Sequence, residues 1–131
     1  MTTAITLPEG APEEVITHAL VRDVDLAPFG GKGSLALITL DNGLDHTRPN
    51  TFGPQSVAAL DAAITDAASR KPAAIAITGK PFIFAAGADL SALSYLAKRE
   101  QALAIGKLGH DVFRRLDEIG IPTFAFINGL A

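Results

Sequence analysis

A single stretch near the middle of the chain decides the fold: Gly79-Lys-Pro-Phe-Ile-Phe-Ala-Ala-Gly-Ala-Asp-Leu90. It follows the short apolar run Ala73–Thr78, which predicts a buried strand. It precedes a segment in which we expect a helix to begin near Asp89 or Ser91. A strand that passes through a loop of small residues into a helix is typical of α/β proteins.

The chain before this stretch predicts two strands and a helix. Val15–Leu26 alternates apolar and polar residues, and the apolar run Ser34–Leu40 is a natural antiparallel partner for it. The glycines of residues 29–33 turn the chain between these two strands. Pro54 is well suited to the first position of a helix that continues to about Arg70 with apolar residues at helical spacing.

The chain after this stretch predicts a longer helix and another strand. Glu100–Ile119 has one apolar face at helical period. Thr123–Ile127 predicts a buried strand, and Asn128-Gly129 predicts a turn. Strands that alternate with helices imply right-handed crossovers and parallel pairing.

Composition sets limits on the class of protein. The 131 residues suit one domain, and 48% apolar residues against 19% charged ones exclude disorder over most of the chain. A net charge of −3 gives no basic footprint, so we expect no nucleic-acid partner. No apolar run approaches the roughly 20 residues of a membrane span. The absence of a signal peptide and of cysteine fits a cytoplasmic protein without disulfides.

Several motifs that suggest cofactors fail on inspection. Gly30-Gly-Lys-Gly33 precedes a strand, whereas a dinucleotide fingerprint follows one. Gly79-Lys80 is followed by Pro81, where a phosphate loop needs Ser or Thr. The three histidines are far apart in sequence, at positions 18, 46 and 110, without metal-ligand spacing. We therefore expect no metal site, and neither glycine motif predicts a nucleotide.

The loop Phe84–Leu90 is the best candidate for chemistry. Its small residues expose consecutive backbone amides, a geometry that can hold an anion. The amide of Ala88 could face a developing oxyanion, Gly87 would permit close approach, and Asp89 could cap the following helix. From chemistry alone, a functional loop and a simple tight turn remain alternatives.

Four segments together resemble the crotonase (enoyl-CoA hydratase/isomerase) family in order and spacing. They are Ser34–Leu40, Arg48-Pro-Asn-Thr-Phe52, Gly79–Leu90 and Ile121-Pro-Thr-Phe-Ala-Phe-Ile-Asn-Gly-Leu-Ala131. The resemblance implies an incomplete crotonase-like (ClpP/crotonase) α/β spiral of ββα units. Residues 1–33 would form a lead with the first strand and turn, and residues 34–131 the N-terminal part of an acyl-CoA-binding domain.

The resemblance also implies a thioester-binding cleft. The Ala88 N–H would be the first oxyanion donor, and Arg48 would be placed to contact a phosphate of CoA. The residues implied to bind substrate or CoA are Arg48, Pro49, Asn50, Ala86, Gly87, Ala88, Asp89 and Leu90. No separate cofactor is implied, because CoA is part of the substrate.

The implied activity is hydration of a 2-trans-enoyl-CoA in fatty-acid β-oxidation. The family's second oxyanion amide and its catalytic glutamates follow the Asn-Gly run, so the stop at Ala131 suggests a fragment, such as the front of a longer polypeptide. An acyl-CoA-binding or subunit-interaction chain without turnover is the alternative, and an α/β scaffold without a CoA site is a third. The family implies homo-oligomers, trimers or hexamers. We also expect the last strand to expose an apolar face and an unpaired edge.

Overall fold

The computed structural model describes residues 8–91, 93–96 and 98–131. The elements follow one another as repeated units of two strands and a helix. They are β1 His18–Asp25, β2 Ser34–Asp41, α1 Pro54–Ser69, β3 Ala74–Gly79, β4 Phe82–Ile83, α2 Arg99–Glu118, β5 Thr123–Phe126 and β6 Gly129–Leu130. The predicted α/β class and ββα order are confirmed.

Four strands form one sheet in the order β1-β2-β3-β5. β1 and β2 are antiparallel and pair along their full length, with Val21 opposite Ile38, so the N-terminal lead shares the sheet with the rest of the chain. β2 with β3 and β3 with β5 are parallel, as the two helical connections require. β4 and β6 form a separate two-stranded parallel sheet.

The core lies between β2 and α1. Ala36, Ile38 and Leu40 of β2 are at most 1% exposed, and Leu60 and Ile64 of α1 pack against them at equally low exposure. Alternate residues of a strand and every third or fourth residue of a helix share a face. The apolar residues of β2 and α1 are spaced in these two ways, so they meet in one interface.

A carboxylate from the N-terminal lead caps α1. The Oε2 of Glu14 accepts a hydrogen bond from the Gln55 amide at 2.9 Å, and its Oε1 accepts from the Ser56 amide at 2.8 Å and hydroxyl at 2.6 Å. The first amides of a helix lack intrahelical partners and carry partial positive charge. Glu14, 8% exposed, satisfies them and fixes the lead to the helix.

Two predicted boundaries were wrong. β1 begins at His18 rather than Val15, because Thr17 donates its amide to the Ser56 hydroxyl and its hydroxyl to the Thr51 carbonyl. The helix predicted near Asp89 or Ser91 is replaced by a short 3-10 helix at Leu93–Tyr95, and the next α-helix begins at Arg99.

The predictions for the last two segments also need correction. β5 is exposed along its length instead of buried, because it is the edge strand of the larger sheet. Phe124 is 54% and Phe126 51% exposed, as expected for an uncovered apolar face. The predicted turn at Asn128-Gly129 leads directly into β6, which pairs with β4. Within the described residues, no helix is long and apolar enough to cross a membrane.

Candidate functional site

Two of the segments singled out in the sequence lie side by side. The Ala86 amide donates to the Asn50 carbonyl at 2.8 Å, and the Phe52 amide donates to the Gly87 carbonyl at 2.9 Å. The Asp89 amide completes the pairing by donating to the Phe52 carbonyl at 2.9 Å. The loop after β2 and the loop after β4 therefore form one short parallel bridge, with Phe52 opposite Ala88.

The amide of Ala88 makes no hydrogen bond in this bridge. In a parallel bridge, one partner bonds through its own N–H and C=O to the residues on either side of the other partner. Phe52 is the bonding partner here, so Ala88 directs its own N–H to the opposite side. Accordingly, the hydrogen bonds among the described residues include none from the Ala88 amide. Gly87 has φ +85°, a conformation that favours glycine, and Ala88 is exposed.

The buried side chain of Asn50 connects these two loops by hydrogen bonds. It is fully buried, and its Nδ2 donates to the Leu40 carbonyl at 2.9 Å and to the Phe84 carbonyl at 3.1 Å. Its Oδ1 accepts from the Asn42 amide at 3.0 Å. The residue lies next to the candidate loop, and its side chain is hydrogen-bonded within the chain and buried; its predicted role in binding substrate or CoA stays a prediction.

Lys80 is a buried cation that sequence reasoning missed. Only 4% of it is exposed, and Nζ donates to the Asn42 Oδ1 at 2.5 Å and to the Leu44, Asp45 and Arg48 carbonyls at 2.9, 3.0 and 2.7 Å. In the sequence, Lys80 stands out only through its resemblance to a phosphate loop, which Pro81 excludes. Its neighbours in sequence, Gly79 and Pro81, gave no signal of burial.

The side chain of Asn128, between β5 and β6, bonds to the backbone at the end of β3. Its Oδ1 accepts from the Gly79 amide at 3.0 Å, and its Nδ2 donates to the Gly79 carbonyl at 3.1 Å and the Lys80 carbonyl at 2.8 Å. A Cβ on Gly129 would collide with the Phe82 carbonyl, so the backbones of β4 and β6 can approach only at glycine. The sequence had predicted only a turn here.

Two hollows adjoin the candidate loop. A groove of about 250 Å³ includes Arg48, Pro49 and Asp89 in its lining, together with Glu13 of the lead. A narrower hollow of about 70 Å³ includes Ala88, Asp89 and Leu90, with apolar walls from Phe52, Leu96 and Ile105. Of the predicted site residues, Asp89 lies in both hollows, whereas Ala86 and Gly87 are exposed on the loop.

Asp89 and Asp45 each accept hydrogen bonds within the chain. The Asp89 Oδ1 accepts from the Ser91 amide at 2.9 Å, which closes a turn and does not cap the helix that was predicted there. The hydroxyl and amide of Thr47 bond to Asp45 and hold the pKa of that carboxyl below its usual value, with smaller contributions from His46 and Lys80. Among the described residues, no cluster of acidic or histidine side chains could hold a metal ion.

Comparison with known proteins shows the family of the chain. The enoyl-CoA hydratase/isomerase family model matches residues 30–131. The fatty acid oxidation complex subunit alpha of Shewanella loihica is 36% identical over 107 residues, which cover 73% of this chain and 15% of that protein. Similar solved structures include Pseudomonas aeruginosa DspI, with 26% identity and a TM-score of 0.64, and an enoyl-CoA isomerase of Mycobacterium tuberculosis, with 28% identity and a TM-score of 0.61.

Coverage is unequal in these comparisons. The DspI match includes 91% of this chain and 45% of the other, and the isomerase match 80% and 40%. This chain thus spans less than half of either solved structure and about one seventh of the Shewanella subunit. Because the family model nonetheless matches most of the chain, in segments that form one loop-and-sheet framework, the chain belongs to the enoyl-CoA hydratase/isomerase family and has the crotonase fold.

Proposed function

We propose that this chain binds an acyl-CoA thioester and supplies the first oxyanion donor for hydration of a 2-trans-enoyl-CoA, a reaction of fatty-acid β-oxidation. The exposed Ala88 amide, which has no acceptor among the described residues, carries the proposal. The narrow apolar hollow beside it would take the acyl part. Arg48 lines the neighbouring groove, where its charge suits a phosphate of CoA.

The chemistry of the step requires such a donor. When water adds to the β-carbon of the enoyl thioester, negative charge develops on the carbonyl oxygen until a proton reaches the α-carbon. A backbone N–H fixed by the Phe52 pairing would stabilise this charge without reorganisation. Loss of one donor of this kind typically costs about 10²–10³ in rate. The reaction needs no cofactor, since CoA is part of the substrate.

Proton transfer is not assigned to a residue of this chain. Glu14 and Asp89 line the apolar hollow, but each already accepts hydrogen bonds from backbone amides. A general base must be free to reach the proton that it removes. This observation favours the second candidate function, which is binding of acyl-CoA without turnover.

Calorimetry with 2-butenoyl-CoA, together with its absorbance decay, separates these functions. Ala88→Pro removes the amide hydrogen and should abolish the shift of the bound thioester carbonyl in infrared spectra, whereas Ala88→Gly keeps the N–H and should retain the shift. Binding with hydration supports the hydratase, and binding alone supports the second candidate. Absence of binding by the folded wild-type chain, with folding checked by circular dichroism, would overturn both.

A further inference from the structure

Lys80 is a buried ammonium whose partners all belong to one loop. Removing a charge from water is costly unless it is compensated by hydrogen bonds. Here the acceptors are one side-chain amide oxygen and three backbone carbonyls, all between Asn42 and Arg48. A carboxylate partner would satisfy the charge with fewer contacts. The use of several carbonyls instead makes the ammonium a cross-link between Lys80 and this loop, which we call the 42–48 loop.

The remaining hydrogen bonds shape the loop without anchoring most of it to the sheet. The Asp41, Asn42 and Asp45 side chains accept from amides two residues ahead, at 2.8, 3.1 and 2.8 Å, and so form consecutive local turns. Lys80, in contrast, is anchored at its own backbone: its amide donates to the Leu40 carbonyl at 2.9 Å, and its carbonyl accepts from Asn128.

Arg48 connects Lys80 to the groove. Its carbonyl accepts from Lys80 Nζ at 2.7 Å, and its side chain lines the groove with Pro49 and Asp89. We propose that Lys80 is a positioning residue that fixes the 42–48 loop so that Arg48 can meet the phosphates of CoA. The identity of the ligand rests on the proposed function, whereas the fixing of the loop does not.

A lysine suits this position better than other residues of its size. Its compact ammonium directs three protons around a single atom, whereas the planar guanidinium of arginine matches bidentate acceptors. An apolar side chain would remove the lysine from all three carbonyls. The Asp45 carbonyl would keep the Arg48 amide as a donor and the Arg48 carbonyl would keep the Asn42 Nδ2, but no donor would connect the loop to residue 80.

The test uses chemical restoration of the charge. Because the sequence contains no cysteine, Lys80→Cys introduces a unique thiol. Alkylation in denaturant with 2-bromoethylamine, followed by refolding, gives an ammonium of lysine-like length, and iodoacetamide gives a neutral side chain of similar size as the matched control. Amide hydrogen exchange of residues 43–48 should accelerate at least about tenfold in the neutral form and return to the wild-type rate in the aminoethyl form.

Ligand affinity is measured on the same samples. The neutral form should bind CoA about tenfold more weakly, which corresponds to about 1.4 kcal/mol, and pantetheine, which lacks the nucleotide phosphates, with little change. The aminoethyl form should regain CoA affinity. Arg48→Gln should reproduce the weaker CoA binding while leaving exchange near its wild-type rate. These paired readouts separate a positioning role from a general loss of stability.

The outcomes are distinct. Equal exchange in the neutral and aminoethyl forms would overturn the role of Lys80 in fixing the loop. Restored exchange without restored CoA affinity would overturn its role for the ligand. If the wild-type chain fails to bind CoA, the proposed function fails and the ligand role falls with it, while exchange still decides the fixing of the loop. Should the cysteine variant not refold, Asn42→Ala is compared with Asn42→Asp. Both lose the Nδ2 donor to the Arg48 and Pro49 carbonyls, but Asp keeps an Oδ1 acceptor for Lys80. Exchange of residues 45–48 should be a few-fold faster in Asn42→Ala, and equal exchange in the two variants would overturn the fixing of the loop by Lys80.

Discussion

The two long helices each have an apolar face but differ in composition and in burial. α1 buries six of its 16 residues, whereas α2 buries only Val112 among 20. The strands that follow differ in the same way. β3, after α1, has Ile75 and Ala76 fully buried, and β5, after α2, is exposed throughout. The connection through α1 is thus packed against the core, whereas the connection through α2 remains largely exposed.

Composition and neighbours both account for this difference: α1 carries two charged residues among 16, whereas α2 carries eight among 20. α1 packs on β1 and β2, and its N-terminus is capped by Glu14. α2 packs on α1, partly through an ion pair between Arg115 and Asp61, and reaches the candidate site where Phe113 meets Phe52 edge to face at 5.9 Å between ring centres. Helical periodicity therefore shows which face can be buried, and topology decides how much of it is.

The largest difference in stability is expected between two Leu→Ala variants, one in each long helix. Leu60→Ala in α1 removes a side chain that is 1% exposed and should lower the free energy of unfolding by about 2–5 kcal/mol. Leu103→Ala in α2 removes one that is 58% exposed and should change it by less than about 0.5 kcal/mol. Urea denaturation followed by circular dichroism measures both. Similar losses in the two variants would contradict the unequal burial.

Much of the framework could be predicted from sequence because its signals are local. The apolar run of β2 and the helical spacing of α1 each lie within one segment, and both segments were correctly located. The short strand β4 was missed, because two residues carry no periodicity. The burial of β5 was wrongly predicted, since an apolar strand has the same sequence whether it is central or at an edge.

The candidate site was only partly predictable. Gly87 and Ala88 were identified from the small residues of the loop and from the family resemblance. Lys80 and Asn128 were not, because their partners lie more than 30 residues away in sequence, and no local pattern indicates that a lysine donates to carbonyls. Such roles depend on how two loops approach each other, which only the assembled sheet determines.

An intermediate effect is expected at the exposed strand of the second crossover. Replacing Phe124 and Phe126 together by threonine keeps a good strand former while removing exposed apolar area. We expect the wild-type chain to self-associate through this edge and the variant to associate at least about tenfold more weakly in sedimentation velocity experiments.

A matched substitution controls for loss of any exposed aromatic side chain. Phe29 is 78% exposed and lies in the turn between β1 and β2, at the other edge of the sheet. Phe29→Thr should leave association unchanged, because a single exposed apolar residue is normal at protein surfaces. A wild-type chain that remains monomeric at high concentration would contradict self-association through β5. Equally weakened association in both variants would show that it does not depend on the β5 edge in particular.

The smallest effect is expected for the exposed charged side chains of α2, which interact with one another along the surface of the helix. The hydrogen bond from Lys107, at 2.6 Å, holds the pKa of the Asp111 carboxyl below its usual value, and the more distant charge of Arg114 contributes less. A carboxyl whose pKa is lower in the folded state stabilises the fold above its unfolded pKa of about 3.9. This contribution is lost as the pH falls through the lower folded pKa. In carboxyl-carbon NMR titrations, Lys107→Met should therefore raise the pKa of Asp111 clearly, and Arg114→Met should raise it less. The reverse order would mean that the Arg114 charge lowers the pKa of Asp111 more than Lys107 does, which would contradict the direct hydrogen bond as the main cause.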